Sequence, residues 1–150
     1  MPRRELKRGR QVAEWLEELG ASLQTPGNMT LIGSAALLWH AHARGIATEL
    51  PEASMDVDPV TDSDEVAMRC YDALIGSEFE RTHGWHVNLM PDTVLRELPE
   101  GWPERATVRQ IHQLRLRVPA PADLLAPKLR RNEPRDRAHA DWADRVGLLG

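Results

Sequence analysis

The sequence predicts an α/β (α+β) domain, a small mixed β-sheet flanked by helices. Three observations carry this. A short apolar run at residues 29–32 ends in Gly33-Ser34 and passes directly into a helical pattern, as a strand turning into a helix does. Residues 114–118 alternate apolar and basic, the two-residue period of a half-buried strand. An amphipathic helical pattern opens the chain, and helices starting at Pro121 and after Pro134 close it. With 150 residues, a single domain over 1–150 has enough chain to bury a core without staples.

Residues 5 to about 23 read as the first helix, with Val12, Trp15, Leu16 and Leu19 at helical spacing. Thr25-Pro-Gly-Asn28 breaks it, and the strand 29–32 follows. Ser34 can cap the next helix, which runs to about residue 44 with Ala35, Leu38, Trp39 and Ala43 inward; Gly45 suits its stop. Residues 46–53 form a loop into a second short strand, Ser54-Met-Asp-Val-Asp58. Asp62 or Ser63 caps a third helix to about residue 75, burying Val66, Met68 or Cys70, and Leu74. Residues 85–90 form a strand ended by Pro91, and 114–118 form another toward a sheet edge. The C-terminal helices span about 120–149: one starts at Pro121-Ala-Asp123, and after Pro134 another covers about 135–146. Trp15, Trp39, Trp85, Trp102 and Trp142 are assigned to the core, with exposure and base stacking as the alternative for Trp102.

Composition narrows the function. A net charge of −4 argues against a general nucleic-acid coat. The charge is uneven, however: the first ten residues and 128–137 are basic, and 49–65 is acidic. The single cysteine, Cys70, excludes an intrachain disulfide, fits a reducing cytoplasm and reads as a buried inert thiol. No apolar run approaches the roughly 20 residues that span a membrane. The basic start lacks the apolar core of a signal peptide. The six histidines follow no metal-ligand spacing.

Chemistry concentrates in Leu31-Ile-Gly-Ser-Ala-Ala-Leu-Leu-Trp39 and Ser54-Met-Asp-Val-Asp58. Alternate strand residues point to one side, so Asp56 and Asp58 converge. Asp is depleted in strands, and two in a short one ask for a reason. The Gly33-Ser34 turn offers backbone N–H groups at a helix N-terminus, a site for phosphate, although it is equally an ordinary strand–helix turn with a cap. Paired carboxylates beside an anion cradle suit metal-assisted phosphoryl or nucleotidyl transfer.

This order, a Gly-Ser turn followed by Asp-x-Asp, resembles the DNA polymerase β-like nucleotidyltransferase superfamily. The segments His86-Val-Asn-Leu-Met-Pro91 and Leu98-Pro-Glu-Gly-Trp-Pro-Glu-Arg-Ala106 resemble the middle of its small stand-alone bacterial members. Pro121-Ala-Asp-Leu-Leu-Ala-Pro-Lys-Leu129, Arg135-Asp-Arg137 and Asp141 resemble their C-terminal helices, so the likeness spans roughly residues 29–145. These proteins are similar to the nucleotidyltransferases of toxin–antitoxin and abortive-infection systems. The resemblance implies Mg²⁺ (or Mn²⁺) on Asp56 and Asp58, with Gly33, Ser34 and Lys128 on the nucleotide phosphates. Asp136 would orient a basic neighbour. Without the resemblance, Lys128 and the arginines around it read as a solvated helix surface with ordinary charge pairs.

The chain departs from the pattern at the third carboxylate, which such enzymes carry on a neighbouring strand. Its counterpart here is Asn88, which can ligate a metal weakly and cannot act as a base. His86 on the same face could accept a proton, and Asp92 could reach the site only if the turn bends back. The expected function is transfer of an NMP from an NTP to a hydroxyl acceptor: RNA, protein or a small molecule such as an aminoglycoside. The alternative is a catalytically degenerate nucleotide-binding or regulatory module of the same fold. An antitoxin or regulatory partner, and a homodimer built through the first helix, complete the expectations.

Overall fold

A computed structural model describes residues 5–52 and 54–150, so the basic cluster of the first ten residues lies partly outside the described residues. Helix α1 (Gly9–Ser22) leads to β1 (Gly27–Ile32), which passes without a linker into α2 (Gly33–Ala43). After a loop come β2 (Asp56–Val60), α3 (Asp64–Tyr71), α4 (Glu78–His83) and the two-residue β3 (His86–Val87). A 3-10 turn at Asp92–Glu97 and the short α5 (Trp102–Arg105) precede the hairpin of β4 (Thr107–Ile111) and β5 (Leu114–Val118). Helices α6 (Pro121–Arg131) and α7 (Pro134–Arg145) close the chain.

The five strands form one mixed sheet in the order β3-β2-β1-β5-β4. Strand β1 runs antiparallel to β2 and parallel to β5, and β3 runs parallel to β2. One face is apolar: Met29, Leu31, Val57, Leu114, Leu116 and Val118 are buried in the same core as Val12, Leu16, Leu37 and Leu38 of α1 and α2. The other face carries Asn28, Thr30, Ile32, Asp56, Asp58, Arg115 and Arg117, because alternate residues of each strand point oppositely. This division creates the site: α1 and α2 pack into the apolar core, and polar chemistry is left on the other face.

Several expectations need correction. The strand 114–118 is not toward an edge, because β4, exposed at Val108, Arg109 and Gln110, pairs outside it. Those residues carry no clear alternation, and register with β5 is what makes them a strand. The strand expected over 85–90 shrinks to two residues, since only His86 and Val87 pair with β2. The third helix stops at Tyr71, Met68 is exposed, and the separate α4 follows. Ser34 does not cap α2; it lies inside the first turn, with its hydroxyl engaged elsewhere. Ser63 precedes α3 without capping it by side chain, its hydroxyl accepting instead from the Asn28 amide at 3.1 Å. All five tryptophans are buried, and Trp102 lies under the Arg117 guanidinium, so the exposed stacking alternative is excluded. Cys70 is fully buried as expected, its thiol pushed up to about 12 by burial. Among the described residues, no helix is long and apolar enough to cross a membrane.

Candidate active site

The site begins where β1 ends. Gly33 turns the chain into α2 with φ of +77°, a left-handed conformation that favours glycine. Pairing of Ile32 with Asp58 lays β2 beside this turn, so that a Cβ on Gly33 would stand 2.6 Å from Asp58 Oδ2. Glycine is therefore required twice, by backbone angle and by the carboxylate lying over it. Among the described residues no side chain caps the start of α2, which leaves its first N–H groups available to an anion.

Asp56 and Asp58 share the polar face as the alternation predicts. Asp56 Oδ1 accepts a hydrogen bond from the Ser54 hydroxyl at 3.2 Å. Asn88 follows β3, donating its backbone N–H to the Val57 carbonyl at 2.8 Å and its side-chain Nδ2 to Asp58 Oδ1 at 3.4 Å. Burial, and then the adjacent charge of Asp56, push Asp58 up to about 7, while Asn88 and Lys128 oppose the shift. Two carboxylates forced together in this way are a site at which added positive charge is favourable. Their hard oxygens suit Mg²⁺ or Mn²⁺ in the mode that uses one or two carboxylates and leaves the remaining positions to water and substrate phosphates. Among the described residues, no group of three or more His, Cys, Asp or Glu side chains forms a closed protein cage.

The facing wall comes from α6 and α7, and Lys128 is its centre. Lys128 is not a surface residue: only 6% of it is exposed. Its ammonium donates to Ser34 Oγ at 3.0 Å and to His139 Nδ1 at 3.3 Å, and lies 3.9 Å from Asp136. Burial lowers its pKa, while Asp136 and Asp58 act in the opposite direction. Asp136 lies closer to Arg131, 2.7 Å from its Nη2, and accepts the Glu133 amide at 3.3 Å, ordering the start of α7. The basic neighbour that Asp136 orients most directly is therefore Arg131.

His139, fully buried, was not singled out by the sequence, where it stands apart from the other histidines. Among the described residues its Nε2 faces acceptors alone, the carbonyls of Pro51 at 2.9 Å and Glu52 at 3.2 Å. Nε2 therefore carries the proton, and in the neutral ring Nδ1 accepts from Lys128. Burial and the Lys128 charge lower the pKa of His139, favouring that neutral form. The imidazole thus joins α7, the loop before β2, Lys128 and Ser34. A usable signal existed in the spacing Asp136-x-x-His139, which puts both residues on one helix face.

These walls enclose a cavity of about 410 Å³ whose lining includes Gly33, Ser34, Asp56, Asp58, Lys128, Arg131 and Arg135. Neither His86 nor Asp92 lines it. His86 Nδ1 instead faces Glu80 Oε2 at 2.8 Å, and Asp92 is an exposed residue opening the 3-10 turn. The turn instead brings Glu97 to the cavity wall, a carboxylate the sequence reading did not select. A larger hollow of about 580 Å³ at the start of α1 has no such pair of acids, and its Arg8 is tied to Glu49 at 2.5 Å.

A glycine turn, two converging carboxylates and a basic wall thus meet around one cavity. A family model described as nucleotidyltransferase of unknown function (DUF6036) matches residues 8–144. The chain belongs to this nucleotidyltransferase family. The match runs from just before α1 nearly to the end of α7, so it includes every element around the cavity. Comparison with curated proteins and with solved structures finds no match in either. The mixed sheet with its flanking helices is compatible with a nucleotidyltransferase fold.

Proposed function

We propose that this nucleotidyltransferase moves an NMP from an NTP to a hydroxyl acceptor with a divalent metal ion. The observation that carries the reading is the placement of Asp58 against the Gly33 turn, with Asp56, Lys128 and Arg135 lining the same cavity. The start of α2 receives phosphate oxygens through its free N–H groups. Lys128, held by Ser34 and His139, presents fixed positive charge toward the same phosphates. Mg²⁺ or Mn²⁺ on Asp56 and Asp58 would supply charge neutralisation at the reacting phosphates. The acceptor oxygen bonds to the α-phosphorus as the bond to the bridging oxygen breaks. Pyrophosphate leaves with the electron pair, and the hydroxyl proton passes to solvent.

The test is transfer of label from each α-labelled NTP, with Mg²⁺ or Mn²⁺, to total RNA, lysate protein and small hydroxylated acceptors. An Asp56→Ala, Asp58→Ala double variant is run in parallel. Label that requires the aspartates supports the reading; equal label from both proteins refutes it. Asn88 favours a second reading, a degenerate nucleotide-binding or regulatory module, because it brings an amide rather than a third carboxylate to Asp58. NTP binding without transfer, unchanged in Asn88→Asp, would select that module. An antitoxin-like partner belongs to either reading and would be sought by co-purification with the product of a neighbouring gene.

A further inference from the structure

The polar sheet face continues past the aspartates. Thr30 pairs with Arg117 and Asn28 with Arg115, on the face that carries Ile32 and Asp58. Thr30 is one two-residue step from Ile32, about 7 Å along the strand. A second cavity of about 300 Å³, with Asn28, Thr30, Asp62, Arg115 and Arg117 in its lining, opens at this point.

Its arginines are arranged for an anion. Arg117 is held by two contacts of 3.2 Å from Nε and Nη2 to Thr30 Oγ1, and its Cζ stands 4.6 Å over the Trp102 ring. A guanidinium ordered in this way retains donors for phosphate oxygens. Arg115 is exposed, and neither arginine forms an ion pair among the described residues. Positive groups therefore line both cavities, Lys128 and Arg135 in the one that holds the aspartates and Arg115 and Arg117 in the other. One nucleotide occupies only the first set. Arg115 and Arg117 are themselves two residues apart on β5, a separation comparable with that of successive phosphates in an extended single strand. Asp62 on the same wall repels phosphate and keeps such a backbone on the arginine side. A cationic acceptor such as an aminoglycoside is disfavoured by the same charges.

We propose that this face is the acceptor site and that the acceptor is a single-stranded polynucleotide, its phosphates on Arg115 and Arg117 and its terminal hydroxyl at Asp56 and Asp58. The inference rests on the nucleotidyl-transfer reading and narrows its acceptor to one class. The reaction lengthens the strand by one nucleotide: the terminal oxygen bonds to the α-phosphorus, pyrophosphate departs with the electron pair of the broken bond, and the proton goes to solvent.

The test uses the full chain and a fluorescently labelled single-stranded RNA of mixed sequence, with binding read by anisotropy at low and high salt. Arg115→Glu should weaken binding about tenfold or more, and Arg115→Ala should lower the salt slope by about one. Arg145→Glu, an exposed site on α7, carries the same charge change as a control and should bind as the parent does. NTP binding and labelled transfer are measured on the parent and on the Asp56→Ala, Asp58→Ala variant. If the parent does not bind RNA, or Arg115→Glu and Arg145→Glu weaken it equally, the acceptor site is overturned. Aspartate-dependent label that goes only to protein or small molecules overturns it as well, while the transfer reading stands. If the parent neither binds NTP nor transfers label, that reading fails first, and the acceptor assignment falls with it.

Discussion

Replacement of Asp58 by Asn isolates the electrostatic cost of the carboxylate pair. Asp58 is raised from 3.8 to about 7, first by burial and second by Asp56. That is about three pH units, and at 1.36 kcal/mol per unit it corresponds to an upper bound of about 4 kcal/mol. The sign follows from proton counting. Between about pH 4 and pH 7 the folded protein holds a proton that the unfolded chain has released, so stability falls as pH rises and stays low above about 7. Asparagine does not ionise, and its Oδ1 can still accept from the Nδ2 of Asn88. In chelator, Asp58→Asn should therefore match the parent near about pH 4 and exceed it by roughly 2–4 kcal/mol near about pH 8. For a chain of this size the gain is a rise in Tm of roughly 6–13 °C. Differential scanning calorimetry of both proteins across the range, with the difference between them as the readout, cancels the titration of other groups. Added Mg²⁺ should then raise the parent's Tm more than the variant's. A difference in Tm that is independent of pH, or a variant less stable than the parent at high pH, would refute the reasoning.

The remaining expectations concern the supports of the site. Gly33→Ala must accommodate φ of +77° and a Cβ 2.6 Å from Asp58 Oδ2, so it should cost at least about 1–2 kcal/mol and weaken NTP binding. Urea unfolding together with nucleotide titration checks both effects, and full stability with full binding would contradict the turn geometry. His139→Ala removes a fully buried ring that bonds Pro51, Glu52 and Lys128, and should cost about 2–4 kcal/mol in urea unfolding. A loss below about 1 kcal/mol would show that the network does not hold the wall together. Cys70, buried with its thiol pushed up to about 12, should react with a thiol reagent only after unfolding. Rapid modification of the native protein would place it at the surface.

What the sequence determined by itself is the local half of the site. The apolar run into Gly33-Ser34 specifies a strand that turns into a helix, and the one-residue spacing of Asp56 and Asp58 sets both carboxylates on one face. Helices α1 and α6 were legible because their apolar residues recur at a fixed local period. Helix α2, in contrast, is buried on every side from Ser34 to Ala41 and was marked only by the glycines that bound it, with the expected inward Ala43 exposed. Pairing decided the rest. Strand β4 has no periodic signature, so its neighbour β5 looked like an edge until the register between them was seen. Lys128 sits in a charged segment that resembles a solvated surface, and only the docking of α6 and α7 beside α2 buries it against Ser34 and His139. Arg117 likewise became part of a polar face through Thr30, 87 residues away in the chain, and Trp102. Contacts across such separations leave no local period in the sequence, because they are set by how whole faces pack and not by where neighbouring side chains point.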